Sequence, residues 1–205
     1  MRLFLLRHAQ AISSTLADGA ILPDDADNPL TASGEQEAAS IARHLRQTCA
    51  SPRVVASPMP RAAQTAAIIQ AELACKLDLD RRLEERAMGF TSATTVAESR
   101  VMQEACYKNI DLVPSNGESV TQHASRICVW LQAVEVQRQL AGDLIAVTHG
   151  GTIELVQLLL FRSDLAAAMP SAFTRCDTAH YHLWTSLSGD DGRDVWRLDG
   201  INLGA

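Results

Sequence analysis

The sequence predicts an α/β protein: a three-layer α/β/α sandwich in which helices cover both faces of a mostly parallel, doubly wound sheet. Short apolar runs of strand length alternate with longer amphipathic segments along the chain. The clearest runs are apolar throughout, which is typical of strands buried on both faces of a parallel sheet. No internal repeat or linker divides the 205 residues, so we expect a single domain over residues 1–205.

The first predicted strand spans residues 3–6 and ends abruptly at Arg7. The stretch from 13 to 30 is polar and contains prolines, so it predicts a loop. Ser33 and Gln36 follow with the spacing of a capping box, in which each side chain satisfies a backbone N–H of the other residue. This pair therefore predicts the start of the first helix.

The middle of the chain continues the alternation of strands and helices. Residues 54–56 form a short apolar strand, and Pro60 suits the first turn of the helix after it. Ser119 and Gln122 repeat the capping-box spacing, so they predict a long helix that runs to about residue 140. The remaining predicted elements are, in chain order, a strand over 76–79, helical pieces joined by loops over 87–117, a strand over 144–147, a helix over 153–161, and late edge strands over 179–185 and 194–198.

Composition excludes several classes of protein. Lys and Arg number 18 against 24 Asp and Glu, and the net charge of -6 argues against a general surface for nucleic acid or acidic membranes. The five cysteines are scattered without a C-x-x-C pair, which favours a reducing compartment over a disulfide framework. No window approaches the length of a membrane span, and the apolar N-terminal stretch is too short for a signal sequence. We therefore expect a cytoplasmic protein.

Ionisable side chains follow three of the predicted strands. Arg7 and His8 come directly after the first strand, His149 follows the strand over 144–147, and Arg61 lies just beyond a third strand. Ligands of doubly wound sheets bind beyond the carboxyl ends of the strands. A cation such as Arg61 is unfavourable at a helix N-terminus unless an anion lies nearby. The pattern predicts an anion-binding site at this edge of the sheet.

Six segments around these residues resemble the motifs of the histidine phosphatase superfamily, whose fold is phosphoglycerate-mutase-like. They are, in chain order, Leu5-Leu6-Arg7-His8-Ala9, Pro29-Leu30-Thr31-x-x-Gly34, Ala56-Ser57-Pro58-Met59-x-Arg61-Ala62-x-Gln64-Thr65-Ala66, Leu83-x-Glu85-x-x-x-Gly89, Asn116-Gly117-Glu118-Ser119 and Val147-Thr148-His149-Gly150-Gly151. The match keeps the family's order over nearly the whole chain. The Ser-Pro-x-x-Arg block and the His-Gly-Gly turn are specific when they occur together.

The resemblance implies that His8 is a nucleophile and that Arg7, Arg61 and His149 complete a phosphate pocket. General chemistry agrees, because a phosphoryl group in transfer spreads negative charge over three oxygens and two guanidiniums can bind them. Their charge also favours the neutral imidazole, the form that has a lone pair with which to attack. The expected intermediate is a phosphohistidine, with no cofactor and no metal ion.

The resemblance also implies an acid and two further phosphate contacts. Glu85, which lies four residues before Gly89, matches the family's acidic position and is the expected proton donor; its neighbour Glu84 is the alternative. Ser14 stands where the family often has Asn and can still donate a hydrogen bond. The amide of Gly150 is a further candidate donor, because it lies where a helix is expected to begin.

The predicted function is a metal-independent phosphomonoesterase acting on a small phosphorylated metabolite. The family's mutases resemble one another in an insertion that carries a Tyr, a Lys and an Arg-Arg pair after the acid. This chain has Tyr107 and Lys108, but a single Arg, Arg100, in that stretch, which favours hydrolysis over phosphoglycerate-mutase activity. The segment around 114–118 is similar to that of bacterial phosphatases of small metabolites, including the α-ribazole phosphatase type.

Two other functions stay open on the same fold: a phosphatase of phosphohistidine in proteins, and a phospho-ligand-binding protein without catalysis. The former would need an open pocket that admits a protein side chain, and the latter would predict the loss of a site residue. An exposed apolar helix face would allow a homodimer. The loops over about 13–28 and 90–117 are expected to form the rim of the site and to decide its specificity.

Overall fold

The computed structural model describes residues 1–23, 28–90, 93–137, 142–169, 176–188 and 194–205. Its strands are β1 (Arg2–Arg7), β2 (Arg53–Ala56), β3 (Leu77–Leu79), β4 (Leu144–Thr148), β5 (Tyr181–Ser188) and β6 (Asp194–Leu203). Its helices are α1 (Ala32–Thr48), α2 (Pro60–Leu73), α3 (Val96–Lys108), α4 (Val120–Gln137), α5 (Gly150–Leu160) and α6 (Leu165–Ala168). Short 3-10 helices cover Ile12–Thr15 and Arg81–Leu83.

The six strands form one sheet in the order β3-β2-β4-β1-β5-β6. The four strands β3, β2, β4 and β1 are parallel, β5 is antiparallel to β1, and β6 is antiparallel to β5. The predicted fold class is confirmed. The prediction of two late edge strands was wrong for β5, because this strand pairs with β1 on one side and β6 on the other.

Helices cover both faces of the sheet, as the apolar strands require. On one face, Phe4 and Leu6 of β1 pack against apolar residues of α1 and α2. On the other face, Leu3 and Leu5 pack against α4 and α5 and the fully buried Trp184 of β5. The alternate residues of one buried strand thus serve two cores, which explains why the run over 3–6 has no polar position.

Two helices begin elsewhere than the sequence predicted. The cap of α1 is Thr31, whose hydroxyl accepts a hydrogen bond from the Gly34 amide at 3.0 Å, so the capping pair of Ser33 and Gln36 was a wrong prediction. A Cβ on Gly34 would lie 2.0 Å from the Gln10 carbonyl oxygen, so only glycine lets this turn pack so closely. Likewise α5 begins at Gly150, three residues before the start that the apolar pattern gave, and this start agrees with the helix beginning expected at the Gly150 amide.

The capping box before α4 is confirmed. The Gln122 amide donates to the Ser119 hydroxyl at 3.1 Å, and the Ser119 amide donates to the Gln122 side-chain oxygen at 2.8 Å. The predicted end of this helix near residue 140 lies outside the described residues, as do 24–27 and 91–92 of the two predicted rim loops. Within the described residues, no helix is both long and apolar enough to cross a membrane.

Candidate active site

Three strands that end side by side position the candidate site. Strand β4 lies between β1 and β2. Beyond the strand ends, the amide of His8 donates to the Thr148 carbonyl at 2.9 Å, and the amide of Ser57 donates to the Val147 carbonyl at 3.0 Å. His149 is the next residue after β4. The sheet itself therefore brings together the side chains that follow these strands, as the sequence predicted.

The His8 ring is buried and held in one tautomer. Its Nδ1 lies 2.8 Å from the Ala9 carbonyl oxygen, which can only accept, so Nδ1 carries the proton and Nε2 has the free lone pair. Burial, together with the positive charges of Arg61 and Arg7, lowers the pKa of His8 to about 3, although the hydrogen bond to Ala9 acts in the opposite direction. The ring is therefore neutral at ordinary pH.

His149 lies against His8 at the start of α5. The centroids of the two rings are 5.2 Å apart, in an edge-to-face arrangement. The Nε2 of His149 is within hydrogen-bond distance of the Ser57 hydroxyl, at 2.9 Å, and the Ser57 oxygen accepts a hydrogen bond from the Met59 backbone amide. Burial, followed by the nearby charge of Arg61, lowers the pKa of His149 well below its usual range. Sequence reasoning missed Ser57 as the partner that orients this ring.

Two guanidiniums flank the histidines. The Arg7 Nη1 donates to the Cys176 carbonyl at 2.8 Å. The Arg61 side chain, in the first turn of α2, is only 7% exposed, and its Nη2 contacts the Met59 sulfur at 3.6 Å. The Thr65 hydroxyl joins α2 to the end of β1, because it donates to the Arg61 carbonyl and accepts from the Ala9 amide. Both guanidiniums lie close enough to His8 for their positive charges to lower its pKa.

The two candidate acids point in different directions. One Glu85 carboxylate oxygen accepts from the Gly151 amide at 3.0 Å, and the other accepts from the Thr152 hydroxyl at 3.2 Å. A Cβ on Gly151 would lie 2.8 Å from that carboxylate, so a glycine is needed for this approach. The Glu84 carboxylate instead accepts from Arg81 at 3.1 Å, on the outside of the molecule. Glu85 is therefore the carboxylate held at the start of α5, at Gly151, two residues after His149.

Of the two neighbouring serines, Ser13 rather than the predicted Ser14 faces the cavity that contains Arg61 and Glu85. The Ser14 hydroxyl accepts from the Ala11 amide of its own 3-10 turn and lines an outer groove with Arg7. Ser13 lines a cavity of about 320 Å³ together with Arg61 and Glu85. The buried Asn28 lines it too, and its side-chain N–H donates to the Ser13 hydroxyl at 2.8 Å. No sequence motif pointed to this pair, because loop geometry decides which serine faces the cavity.

Two further ionisable residues near the site escaped sequence reasoning. Burial raises the pKa of Glu154 to about 7, and the negative charge of Glu85 adds to this effect, whereas Arg7 opposes it. Glu154 lies one turn after Gly150 in α5, and that helical spacing is a signal that could have identified it. Arg86 lines the cavity that contains Glu85, and its own side chain is 8% exposed.

The arrangement has a definite chemical capacity. It combines a neutral imidazole with a free lone pair, two guanidiniums, and a carboxylate held at a helix start, all at the carboxyl edge of a doubly wound sheet. Such a site can bind a phosphoryl-type anion and present a nucleophile to it. Within the described ranges, no group of three or more His, Cys, Asp or Glu side chains could hold a metal ion.

The fold and the site define an α/β protein in which two buried histidines and a buried arginine, Arg61, follow strand ends at the carboxyl edge of the sheet. The chain is more closely identified by its sequence: the family model of the histidine phosphatase superfamily (branch 1) matches residues 3–201. The protein belongs to this family. Its resemblance to the family's motifs and its predicted fold are both confirmed.

The relatives include proteins named as mutases and as phosphatases. The probable phosphoglycerate mutase GpmB of Proteus mirabilis is 27% identical over 155 residues, which cover 73% of this chain and 70% of that protein. Phosphoglycerate mutase-like protein 4 of Arabidopsis thaliana is 30% identical over 71% of this chain and 63% of its own length. Both are therefore similar to this chain over most of its sequence.

Two solved structures share the fold over almost their whole length. A mycobacterial glucosyl-3-phosphoglycerate phosphatase complexed with VO3 has a TM-score of 0.78 at 24% identity, with 98% of each chain covered. The alpha-ribazole phosphatase from Shigella flexneri has a TM-score of 0.78 at 21% identity, with 99% of this chain and 96% of that chain covered. At these identities the likeness concerns the fold.

Proposed function

We propose that the protein is a metal-independent phosphomonoesterase that hydrolyses its substrate through a phosphohistidine at Nε2 of His8. One observation carries the proposal: the His8 ring is neutral, has its proton fixed on Nδ1 by Ala9, and lies near enough to Arg61 and Arg7 for both charges to lower its pKa. With its pKa lowered to about 3, this imidazole has its lone pair available at neutral pH. The guanidiniums can neutralise the charge of the incoming phosphate without a metal ion.

In the first step, the Nε2 lone pair of His8 attacks phosphorus and the ester P–O bond breaks. The electrons of that bond move to the leaving oxygen, which takes a proton from the Glu85 carboxyl group and departs as an alcohol. Arg7, Arg61 and His149 bind the three non-bridging oxygens, where the negative charge is concentrated. A positioned general acid of this kind contributes about 10²–10⁴-fold to the rate.

In the second step, water hydrolyses the phosphohistidine. The Glu85 carboxylate, which lost its proton in the first step, takes a proton from the water as the water oxygen attacks phosphorus. The P–N bond breaks and its electrons return to Nε2 of His8, so both residues regain their starting forms. The division of one displacement into two easier steps is the gain from covalent catalysis.

A small phosphorylated metabolite is the substrate class that we propose. The cavity shared by Arg61 and Glu85 has a volume of about 320 Å³, which is at the lower end of the range for small-molecule sites. The two phosphatases of similar fold are also named for small phosphorylated compounds. A phosphoprotein would need a wider opening around His8, and its hydrolysis is the alternative outcome of a substrate screen.

Phosphoglycerate-mutase activity is the second candidate, and the names of the sequence relatives favour it. A mutase must retain the phosphoryl group and deliver it to a second oxygen, so it needs cations that hold the turning intermediate. In this chain, Lys108 pairs with Glu104 and Arg100 pairs with Asp18, both on the exposed surface. These pairings support hydrolysis. A coupled assay for phosphoglycerate interconversion, run on the same preparation, separates the two activities.

The direct experiment is the hydrolysis of an aryl phosphate in excess chelator by the wild type and by His8→Ala. His44→Gln is a matched control, because this histidine contacts the Tyr181 hydroxyl away from the site. Turnover that resists chelator, survives in the control and disappears in His8→Ala supports the proposal. Turnover that needs a metal ion, or that persists without His8, would overturn it.

A further inference from the structure

A second cavity adjoins the candidate active site on the side of Glu85. It has a volume of about 220 Å³ and is bounded by Glu85 and Gly151, the residues at the start of α5 described above. One part of its wall is apolar, formed by Met88, Phe90, Val120, Leu155 and Met169, and the polar side chains of Ser99, Gln103, Tyr107 and His123 form another part. The volume exceeds the roughly 150 Å³ of an apolar cavity that can hold benzene. One aromatic ring therefore fits.

Arg86 lies at the boundary, because its side chain lines both this second cavity and the 320 Å³ cavity of Arg61. Its Nη1 donates to the Glu118 carbonyl at 3.2 Å, and its guanidinium lies over the Tyr107 ring, 5.9 Å from the centroid. These contacts hold the guanidinium in place. They use an uncharged carbonyl and an aromatic face, so they leave the positive charge without a counter-ion.

Among the described residues, neither nearby carboxylate pairs with the Arg86 guanidinium. The Glu118 side chain pairs with Arg126 at 2.7 Å, and the Glu85 carboxylate accepts from the backbone amides of Gly151 and Arg86 and from the Thr152 hydroxyl. Within the described ranges, no ion pair includes Arg86, although its side chain is only 8% exposed. A buried cation without an anionic partner is costly, unless a ligand supplies the anion.

We infer that this second cavity binds the leaving group of the substrate, and that the leaving group is an aromatic or similarly bulky unit that packs on the apolar part of the wall and has an anionic substituent that pairs with Arg86. The inference rests on the proposed phosphatase function and adds the class of substrate. The position of the second cavity supports the inference, because Glu85 borders both cavities. The group that protonates the leaving oxygen has to lie next to the leaving group. The apolar wall contributes affinity and Arg86 contributes selectivity.

The experiment compares kcat/KM for three phosphomonoesters: para-carboxyphenyl phosphate, phenyl phosphate and glycerol phosphate. In Arg86→Met, the preference for the carboxylated ester over phenyl phosphate falls by about tenfold or more, because a hydrogen bond to a charged group is lost. Arg46→Met is the control, since Arg46 pairs with Glu72 on the exposed surface. A ratio of two esters, compared between variants, cancels their difference in chemical reactivity.

Phe90→Ala tests the apolar wall separately, because this side chain is 41% exposed and its removal leaves the core intact. We expect the preference for phenyl phosphate over glycerol phosphate to fall by about tenfold. A third test needs no variant: para-hydroxybenzoate inhibits the wild type more strongly than phenol does. This comparison, made with inorganic phosphate at a saturating concentration so that the carboxylate cannot occupy the pocket of Arg7 and Arg61, remains decisive if Arg86→Met fails to fold.

The outcomes separate this inference from the proposed function. If the esters are hydrolysed in a His8-dependent way, yet the carboxylate preference is unchanged in Arg86→Met and the two inhibitors are equivalent, the leaving-group inference is wrong and the phosphatase function stands. If the wild type hydrolyses none of the three esters, or if hydrolysis is independent of His8, the proposed function fails and the inference fails with it.

Discussion

The two sides of the candidate site are built in different ways. On the phosphoryl side, His8, Ser57 and His149 follow three hydrogen-bonded strands, so the sheet fixes their spacing. On the leaving-group side, the wall comes from the segment after the 3-10 helix at Arg81–Leu83 and from side chains of α3, α4 and α5. The comparison teaches that a strand ladder fixes the chemistry, whereas packing between loops and helices shapes the specificity.

The phosphoryl side is expected to give the largest effect on activity. His8→Gln removes the nucleophile while keeping a polar side chain of similar size, so we expect kcat to fall by at least about 1,000-fold. The measurement is hydrolysis of an aryl phosphate together with thermal unfolding. A folded His8→Gln variant that retains more than a few per cent of the activity would break the assignment of chemistry to this side.

The acid gives the next largest effect, and the neighbouring carboxylate gives a matched control. Glu85→Gln is expected to lower kcat by about 10²–10⁴-fold, because the leaving alkoxide loses its proton donor. Glu84→Gln should stay within about twofold of the wild type, since that side chain pairs with Arg81 at the surface. The effect of Glu85→Gln should shrink for esters whose leaving groups are good. Equal effects of the two variants would contradict the placement of Glu85.

The raised pKa of Glu154, a residue of α5, makes the stability of the protein depend on pH. This pKa of about 7 is above the 4.5 of an unperturbed carboxyl, so the ionisation of Glu154 destabilises the folded state progressively between pH 4.5 and 7. Glu154→Gln should therefore raise the free energy of unfolding by up to about 3 kcal/mol at pH 8 and by little at pH 4.5. Denaturant titrations at the two pH values measure this. A gain that is equal at both would show that the carboxyl ionises normally.

The smallest expected effect concerns His182 of β5, in the core and apart from both sides of the site. The residue is fully buried, neither ring nitrogen has a hydrogen-bond partner among the described residues, and burial lowers its pKa to about 4. His182→Leu should raise the free energy of unfolding by about 1 kcal/mol at pH 8. The gain should be larger at pH 5, because the folded wild type loses stability as pH falls from 6.5 towards 4.

Unchanged hydrolysis by His182→Leu would confirm that this buried polar group is separate from the site. If the variant is less stable than the wild type at both pH values, the imidazole has a stabilising contact that the desolvation argument leaves out. In that case its removal would carry the usual cost of a lost core contact.

The sequence predicted the phosphoryl side well because a strand end is a local feature. The apolar run over 3–6 locates Arg7 and His8 at the edge of the sheet, and the run over 144–147 does the same for His149. These local patterns predict where the strands lie in the sequence, but they do not predict the position of β5 in the sheet. The antiparallel pairing of β5 between β1 and β6 depends on contacts between segments that are far apart in the chain.

The leaving-group side was less predictable, because its residues have no common local pattern. The same holds in the 320 Å³ cavity of Arg61, where the 3-10 turn at 12–15 and its contact with Asn28 decide that Ser13 rather than Ser14 faces the cavity. Arg86 gains its place through the Glu118 carbonyl, which lies 32 residues further along the chain. Such long-range contacts leave no periodic trace in the sequence. The error at the start of α1 was a local one of two residues. Thr31 and Ser33 both have side chains that can cap a helix, so the sequence pattern did not distinguish them.

The central claim is that the phosphoryl group passes through Nε2 of His8. The most direct test mixes the wild type with an aryl phosphate in excess chelator, stops the reaction within the first turnovers at a pH where phosphohistidine survives, and locates the phosphoryl group by peptide mass spectrometry. We predict one phosphoryl group on the peptide that contains His8, at a level that hydrolysis depletes once substrate is consumed, and none in His8→Gln. Turnover without a phosphorylated enzyme, or with the phosphoryl group on another residue, would contradict the account.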